Sequence, residues 1–176
     1  MRRNPIAMAS GIMPEATAAK LAALAEQAGE GLRINLEFGL FTQVKSIAQA
    51  SAVLRRIDHP AMALLIDALH WRRSGGTLAD IAAVPPIWLS YVQLCDAPDP
   101  GADPDDPAAI LAEAIDGRMA MGEGGLPLSA LLDVLPLGIP IAIEERSRAL
   151  RDAYPDLSAR AARMLATTRQ WIAAQA

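Results

Sequence analysis

Ala61-Met62-Ala63-Leu64-Leu65-Ile66-Asp67-Ala68-Leu69-His70 is an almost wholly apolar run that stops on a carboxylate. A run this short and this rich in aliphatic residues reads as a strand buried on both faces, the signature of parallel pairing. The carboxylate at its end is the informative residue. An ionised group beside a buried strand costs several kcal/mol, roughly, unless it is paired or coordinated. The question for the rest of the chain is whether other strands end in the same way.

They do. Upstream, Leu32-Arg33-Ile34-Asn35-Leu36-Glu37-Phe38 places Leu, Ile, Leu and Phe at period two and carries Glu37 near its end. Downstream, Trp88 to Leu94 predicts a third strand with Gln93 near its end, and Ile139 to Ile143 a fourth that is followed directly by Glu144. Ile6 to Ala9 is a further short candidate strand. Helical patterns fill the intervals. Leu21, Leu24, Ala25 and Ala28 mark a stripe between Pro14 and Gly29, and Val44, Ile47, Ala48 and Leu54 mark the next. Thr77 with Asp80 predicts a capping pair for a short helix ending before Pro85-Pro86. Pro107 opens a helix to about Asp116, and Leu128 to Leu135 predicts another. Beyond Glu144 the chain is helical, with Leu157, Met164, Leu165, Trp171 and Ile172 as its apolar positions. Residues 97–106, with Pro98, Pro100 and Pro104 among several aspartates, predict an exposed acidic, Pro-rich loop.

Alternation of buried strands and helices implies an α/β fold with right-handed crossovers, either a doubly wound sheet or a TIM barrel. Periodicity alone fits both. The polar strand ends favour the barrel, because consecutive strands there deliver their C-terminal residues to one mouth. Glu37, Asp67, Gln93 and Glu144 together offer four oxygen donors, three of them anionic, a set suited to a divalent cation such as Mn²⁺ or Mg²⁺. Glu145 is a rival to Glu144, and strand alternation allows only one of the pair to face inward.

Asn35-Leu36-Glu37-Phe38, Asp67-Ala68-Leu69-His70, Tyr91-Val92-Gln93-Leu94-Cys95-Asp96 and Gly122-Glu123-Gly124 resemble successive blocks of the xylose-isomerase-like TIM-barrel family. That family includes sugar phosphate isomerases, ketose 3-epimerases, inosose and dehydroshikimate dehydratases and AP endonucleases. The resemblance implies that residues 1–176 form one domain, a partial (β/α)8 barrel of about four to five parallel strands. The family's N-terminal half is expected to be missing, since a whole barrel takes about 250 residues. The resemblance also places Glu37, Asp67, Gln93 and Glu144 on the metal-ligand positions, with Co²⁺ or Zn²⁺ as further candidates for the ion. His70 and Arg118 fall on substrate-binding positions, and Glu37 and Glu144 on those of the acid/base pair. Two activities follow as expectations. One is isomerisation or epimerisation of a small sugar, keto sugar or sugar phosphate through an enediolate. The other is dehydration of an inosose or dehydroshikimate-like keto acid, a branch that Gln93 resembles more closely than the histidine found in many members. A third expectation is a non-catalytic truncated barrel, completed by a second copy or by a complementing half.

Composition narrows the partners. The chain has 176 residues, a 52% hydrophobic fraction and a net charge of -4, so a phosphate polymer is an unfavourable partner. The endonuclease branch needs a histidine-rich zinc site, whereas His59 and His70 are the chain's 2 histidines. Asp67 and Pro136 interrupt the longest apolar stretches, so no membrane span is expected. Cys95 is the 1 cysteine, which fits a cytoplasmic protein and reads as a small buried hydrophobe within its strand. Gly122-Glu123-Gly124 lacks the lysine of a phosphate loop and reads more simply as a turn. Trp71 and Trp88 read as packing residues and His59 as a loop residue.

Overall fold

The computed structural model describes residues 6–8, 14–29 and 31–175. Its elements in chain order are β1 (Ile6–Met8), α1 (Pro14–Gln27), β2 (Ile34–Glu37), α2 (Ile47–Ile57), β3 (Met62–Asp67), α3 (Ala68–Arg73), α4 (Leu78–Ala82), β4 (Leu89–Leu94), α5 (Pro107–Asp116), α6 (Leu128–Val134), β5 (Ile141–Ile143), α7 (Arg148–Ala153) and α8 (Leu157–Ala173). A 3-10 turn, Pro86–Trp88, leads into β4.

Local chemistry sets many of these boundaries. Ser46 caps α2 by accepting from the Gln49 amide, and the helix ends on Asp58 in the left-handed region at φ 46°. Thr77 and Asp80 form the reciprocal capping box expected of them. Asp106 accepts from the amides of Ala108 and Ala109 ahead of Pro107, which opens α5.

The sheet order is β1-β2-β3-β4-β5, and every pair is parallel. That order settles what periodicity left open. A doubly wound sheet reverses strand order at a switch point. Here each new strand is added on the same side of the last, as in the arc of a barrel. One face of the arc packs on the helices, and all C-terminal strand ends share one rim.

All six residues of β3 and all four of β2 are buried. Ile34, Leu36, Leu64 and Ile66 point to the helix side and join one hydrophobic cluster with Ala50, Val53 and Leu54 of α2. Asn35, Glu37, Ala63, Leu65 and Asp67 alternate with them and face the concave side.

Several expectations are corrected. The predicted strands are shorter at their starts. Trp88 belongs to the 3-10 turn and stacks under Arg55, whose guanidinium carbon lies 5.9 Å from the ring centroid. Ile139 precedes β5. The candidate first strand is present as β1, and Ala9 lies outside the described residues. The apolar positions assigned to α8 are largely exposed, at 72% for Leu157, 42% for Leu165 and 36% for Ile172. The other two assigned positions, Met164 and Trp171, are half-buried and share one face of the helix with Thr168, which the sequence reading had not included. Cys95 follows β4 rather than lying within it, and it is buried. Within 97–106, Ala97 is buried, whereas residues 98–100 and 103–106 are exposed. No helix among the described residues is long and apolar enough to cross a membrane.

Candidate functional site

Strand register assembles the rim. Asp67 pairs with Gln93, Gln93 pairs with Ala142, and the Glu144 amide donates to the Leu94 carbonyl at 3.0 Å. Neighbours in register point to the same face, so Asp67 and Gln93 stand side by side on the concave surface. Glu37 closes the group from β2. Ligand atoms of Glu37, Asp67 and Glu144 all lie within 4.8 Å of one another.

Asp67 is the hub. It is fully buried and caps α3, its Oδ1 accepting from the His70 amide at 2.9 Å. Its Oδ2 accepts from Arg118 Nη1 at 2.6 Å. Arg118 is itself buried and has almost every donor engaged. Nε donates to the Ala114 carbonyl at 3.1 Å and Nη1 also reaches Cys95 Sγ at 3.3 Å. Nη2 lies 3.4 Å from His70 Nε2 and 3.9 Å from Glu144 Oε1. A guanidinium can only donate, so His70 Nε2 accepts and the ring proton sits on Nδ1. The same Nε2 is 3.9 Å from Glu37 Oε1, and the Phe41 ring meets the imidazole edge-on at 5.2 Å.

The cluster polarises its own titrations. Burial, reinforced by the charges of Asp67 and Glu144, pushes the Glu37 carboxyl up to about 8. Burial also raises Glu144, with Arg118 opposing and Asp67 adding to the rise. For Asp67 burial acts upward as well, but the charge and hydrogen bond of Arg118, helped by His70, hold it below its ordinary value. Burial keeps His70 low and therefore neutral. Cys95 is pushed up to about 12 by burial, so its thiol is a packing group and a weak acceptor for Arg118.

Arg118 reaches this centre because the segment that carries it is clasped to the end of β4. Asp96 and Met119 exchange both backbone hydrogen bonds, at 2.9 and 2.8 Å. The Asp96 carboxylate is buried and accepts from the amides of Ala97 (2.9 Å), Leu126 (2.9 Å) and Gly122 (3.0 Å). The Gly122-Glu123-Gly124 turn thus wraps an internal anion. Gly124 must lack a side chain: a Cβ there would sit 2.4 Å from the Ala97 carbonyl oxygen and 2.5 Å from Asp96 Oδ1. Gly124→Ala is therefore expected to lower the unfolding free energy in urea by about 1–3 kcal/mol, the usual range for overpacking. Gly125→Ala, whose nearest neighbour is the Asp99 Cβ at 3.2 Å, serves as the milder control.

Every residue singled out in the sequence for the site is thus near this rim. Glu144 joins the triad, while Glu145 borders a separate hollow with Glu123 and Arg163. His59 Nδ1 accepts locally from the Ala61 amide, and Trp71 Nε1 donates to the Thr77 carbonyl. Sequence reasoning overlooked Asp96 as an anchor. The available signal for Asp96 was its position directly behind the strand that carries Gln93.

The donor set fits a cation on a separate observation. Gln93 Oε1 and Glu144 Oε2 are buried acceptors with no hydrogen-bond partner. Buried polar atoms are normally satisfied, so orphans clustered among carboxylates mark a place where a cation belongs.

Comparison with known proteins supplies a frame for this geometry. The family described as "Xylose isomerase-like TIM barrel" matches residues 15–168. The comparison with curated proteins gives no match. Among solved structures, the IOLI protein, crystallised with a binding zinc atom, superposes with a TM-score of 0.77 at 16% identity, over 98% of this chain and 62% of that one. The probable 3-DHS dehydratase AsbF from Bacillus anthracis gives 0.68 at 14% identity, over 85% and 59%. A D-allulose 3-epimerase from Methylomonas sp. gives 0.62 at 17% identity, over 90% and 55%. At these identities the likeness shows the fold, and this chain spans between 55% and 62% of the length of these three proteins.

Proposed function

Because the chain belongs to the xylose isomerase-like TIM barrel family, we propose that its rim is a single-metal site for isomerising or epimerising a small sugar, keto sugar or sugar phosphate. Glu37, Asp67, Gln93 and Glu144 would hold the ion, Mn²⁺ or Mg²⁺ in the first instance and Co²⁺ or Zn²⁺ as alternatives. The reading rests on one observation: three carboxylates share a space small enough for one ion, and one of their oxygens, Glu144 Oε2, is buried without a partner, as is Gln93 Oε1.

When bound, the ion would act as a Lewis acid that polarises a substrate carbonyl. The remaining work belongs to the chain. Glu37 and Glu144 approach the rim from β2 and from the residue after β5. One carboxylate removes the proton beside the carbonyl, leaving an enediolate, and the other returns a proton. His70, neutral and fixed by Arg118, orients a substrate hydroxyl. Arg118, which the resemblance assigns to substrate binding, already donates to Asp67, Ala114 and Cys95; in this reading it holds Asp67 in its working rotamer and keeps positive charge beside the centre.

Gln93 favours a second reading, dehydration of an inosose or dehydroshikimate-like keto acid. The proton taken by a carboxylate would then be followed by loss of a β-hydroxyl as water, and no proton would return to carbon. A panel of ketoses beside 3-dehydroshikimate, followed by ultraviolet absorbance, separates the two reactions.

The metal site itself is tested without a substrate. The protein is expected to take up one Mn²⁺ per chain by calorimetric titration, and Glu144→Ala is expected to abolish that uptake. Unchanged uptake in Glu144→Ala would overturn the proposal.

A further inference from the structure

The ladder between β3 and β4 is irregular at one place. Leu64 pairs with Leu89 and Ile66 pairs with Val92, so two steps along β3 correspond to three along β4. The extra residue lies at Ser90-Tyr91. A bulge of this kind breaks the strict alternation of faces and re-aims a side chain, and bulges concentrate beside functional sites.

Both residues of the bulge turn away from the helices. Ser90 Oγ donates to Asn35 Oδ1 at 2.6 Å, and Asn35 shares the concave face with Glu37, two residues on. Tyr91 is only 8% exposed, yet it stands apart from the helix-side hydrophobic cluster, as Ala63 and Leu65 of the concave face do. Val92 and Leu94, its neighbours on β4, belong to that cluster. The charges that act on the Tyr91 hydroxyl are those of Glu37 and Glu144. Among the described residues, no hydrogen bond is made by that hydroxyl. The hydroxyl is not sealed in the core: it reaches the open surface of the concave side, where it is free to donate to a ligand.

We propose that the bulge aims Tyr91 into the rim as a substrate-contacting residue, its hydroxyl donating a hydrogen bond to an oxygen of a polyhydroxy or keto substrate. This deepens the proposed function and rests on it. Tyr91 is not a metal ligand in this scheme. Its contribution is a fixed donor beside Glu37 and Glu144, where negative charge grows on the substrate, and a donor so placed needs no reorganisation when charge develops.

Tyr91→Phe keeps the ring and removes only the hydroxyl. Mn²⁺-loaded parent and variant are titrated calorimetrically with D-fructose, xylitol and 3-dehydroshikimate, and turnover is followed with the first and third. Three results are expected together. Mn²⁺ affinity stays within about twofold of the parent, binding of the recognised probe weakens, and kcat falls by about 10²–10³, the usual effect of losing one such donor. Probe binding and turnover within about threefold of the parent would overturn the role of Tyr91 and leave the metal-site reading standing. Loss of Mn²⁺ affinity in Tyr91→Phe would overturn it too, by showing that the phenol supports the metal ligands. If the Mn²⁺-loaded parent recognises none of the three probes, the substrate reading falls and Tyr91 falls with it.

Discussion

Glu37→Gln protein, held in excess chelator at pH 7, is expected to be more stable than the parent while losing its affinity for Mn²⁺. The Glu37 carboxyl is pushed from its ordinary 4.5 to about 8, first by burial and then by the charges of Asp67 and Glu144. A raised carboxyl favours its protonated form in the folded state. The stability associated with that form is fully present below about 4.5 and is lost as the pH climbs toward 8. Glutamine mimics the protonated carboxyl and keeps that stability at every pH. With one pKa unit equal to about 1.4 kcal/mol, the gain near neutrality is on the order of 2–3 kcal/mol. Urea unfolding at pH 4, 7 and 8.5 measures it. The two proteins should coincide at the lowest pH and diverge above it. A variant no more stable than the parent at pH 7 contradicts the prediction. The pairing of gained stability with lost metal affinity is the signature of a functional site held against the preference of the fold.

Arg118→Met is expected to act in the opposite direction and more strongly. Asp67 has no exposed surface, and Arg118 is its one cationic partner among the described residues. Removing the guanidinium leaves an uncompensated buried carboxylate, a change that typically costs about 3–5 kcal/mol. His70 would lose the donor to Nε2 and Cys95 its contact at the same time. Replacing both partners, Asp67→Asn with Arg118→Met, should recover much of the loss, because a neutral amide carries far less desolvation penalty and can still accept from the His70 amide at the start of α3. Urea denaturation of the two single variants and the double variant closes the cycle. Additive losses in the double variant would show that the pair does not act as a unit.

The strands, their order along the chain and the Thr77–Asp80 cap could be read from the sequence because each depends on residues a few positions apart. Ala61 to Asp67 is apolar on both faces, and Thr77 finds Asp80 within one turn. The four polar strand ends were legible for the same reason: each sits at the end of an apolar run. Other features escaped because their cause is distant. Arg118 meets Asp67 across 51 positions, and nothing near either residue announces the pair. Asp96 looked like the first residue of a Pro-rich loop, yet it is the anion that organises amides up to 30 positions away. Leu157, Leu165 and Ile172 looked like the buried stripe of the last helix. Helical spacing shows that a stripe exists but not which residues meet the neighbouring elements, and here Thr168 is the buried one.

By itself, then, the sequence determined that buried parallel strands alternate with helices and that four of the strands each carry an oxygen donor at or just after the C-terminal end. Tertiary structure alone decided that the strands add in one direction, so that Glu37, Asp67 and Glu144 converge, that Arg118 is locked onto Asp67, and that a bulge turns Tyr91 toward them. The physical reason is range. Hydrophobic period and capping are settled by neighbours along the chain, whereas register, ion pairing and bulges are settled between segments, where one step of slip reverses the face a side chain occupies.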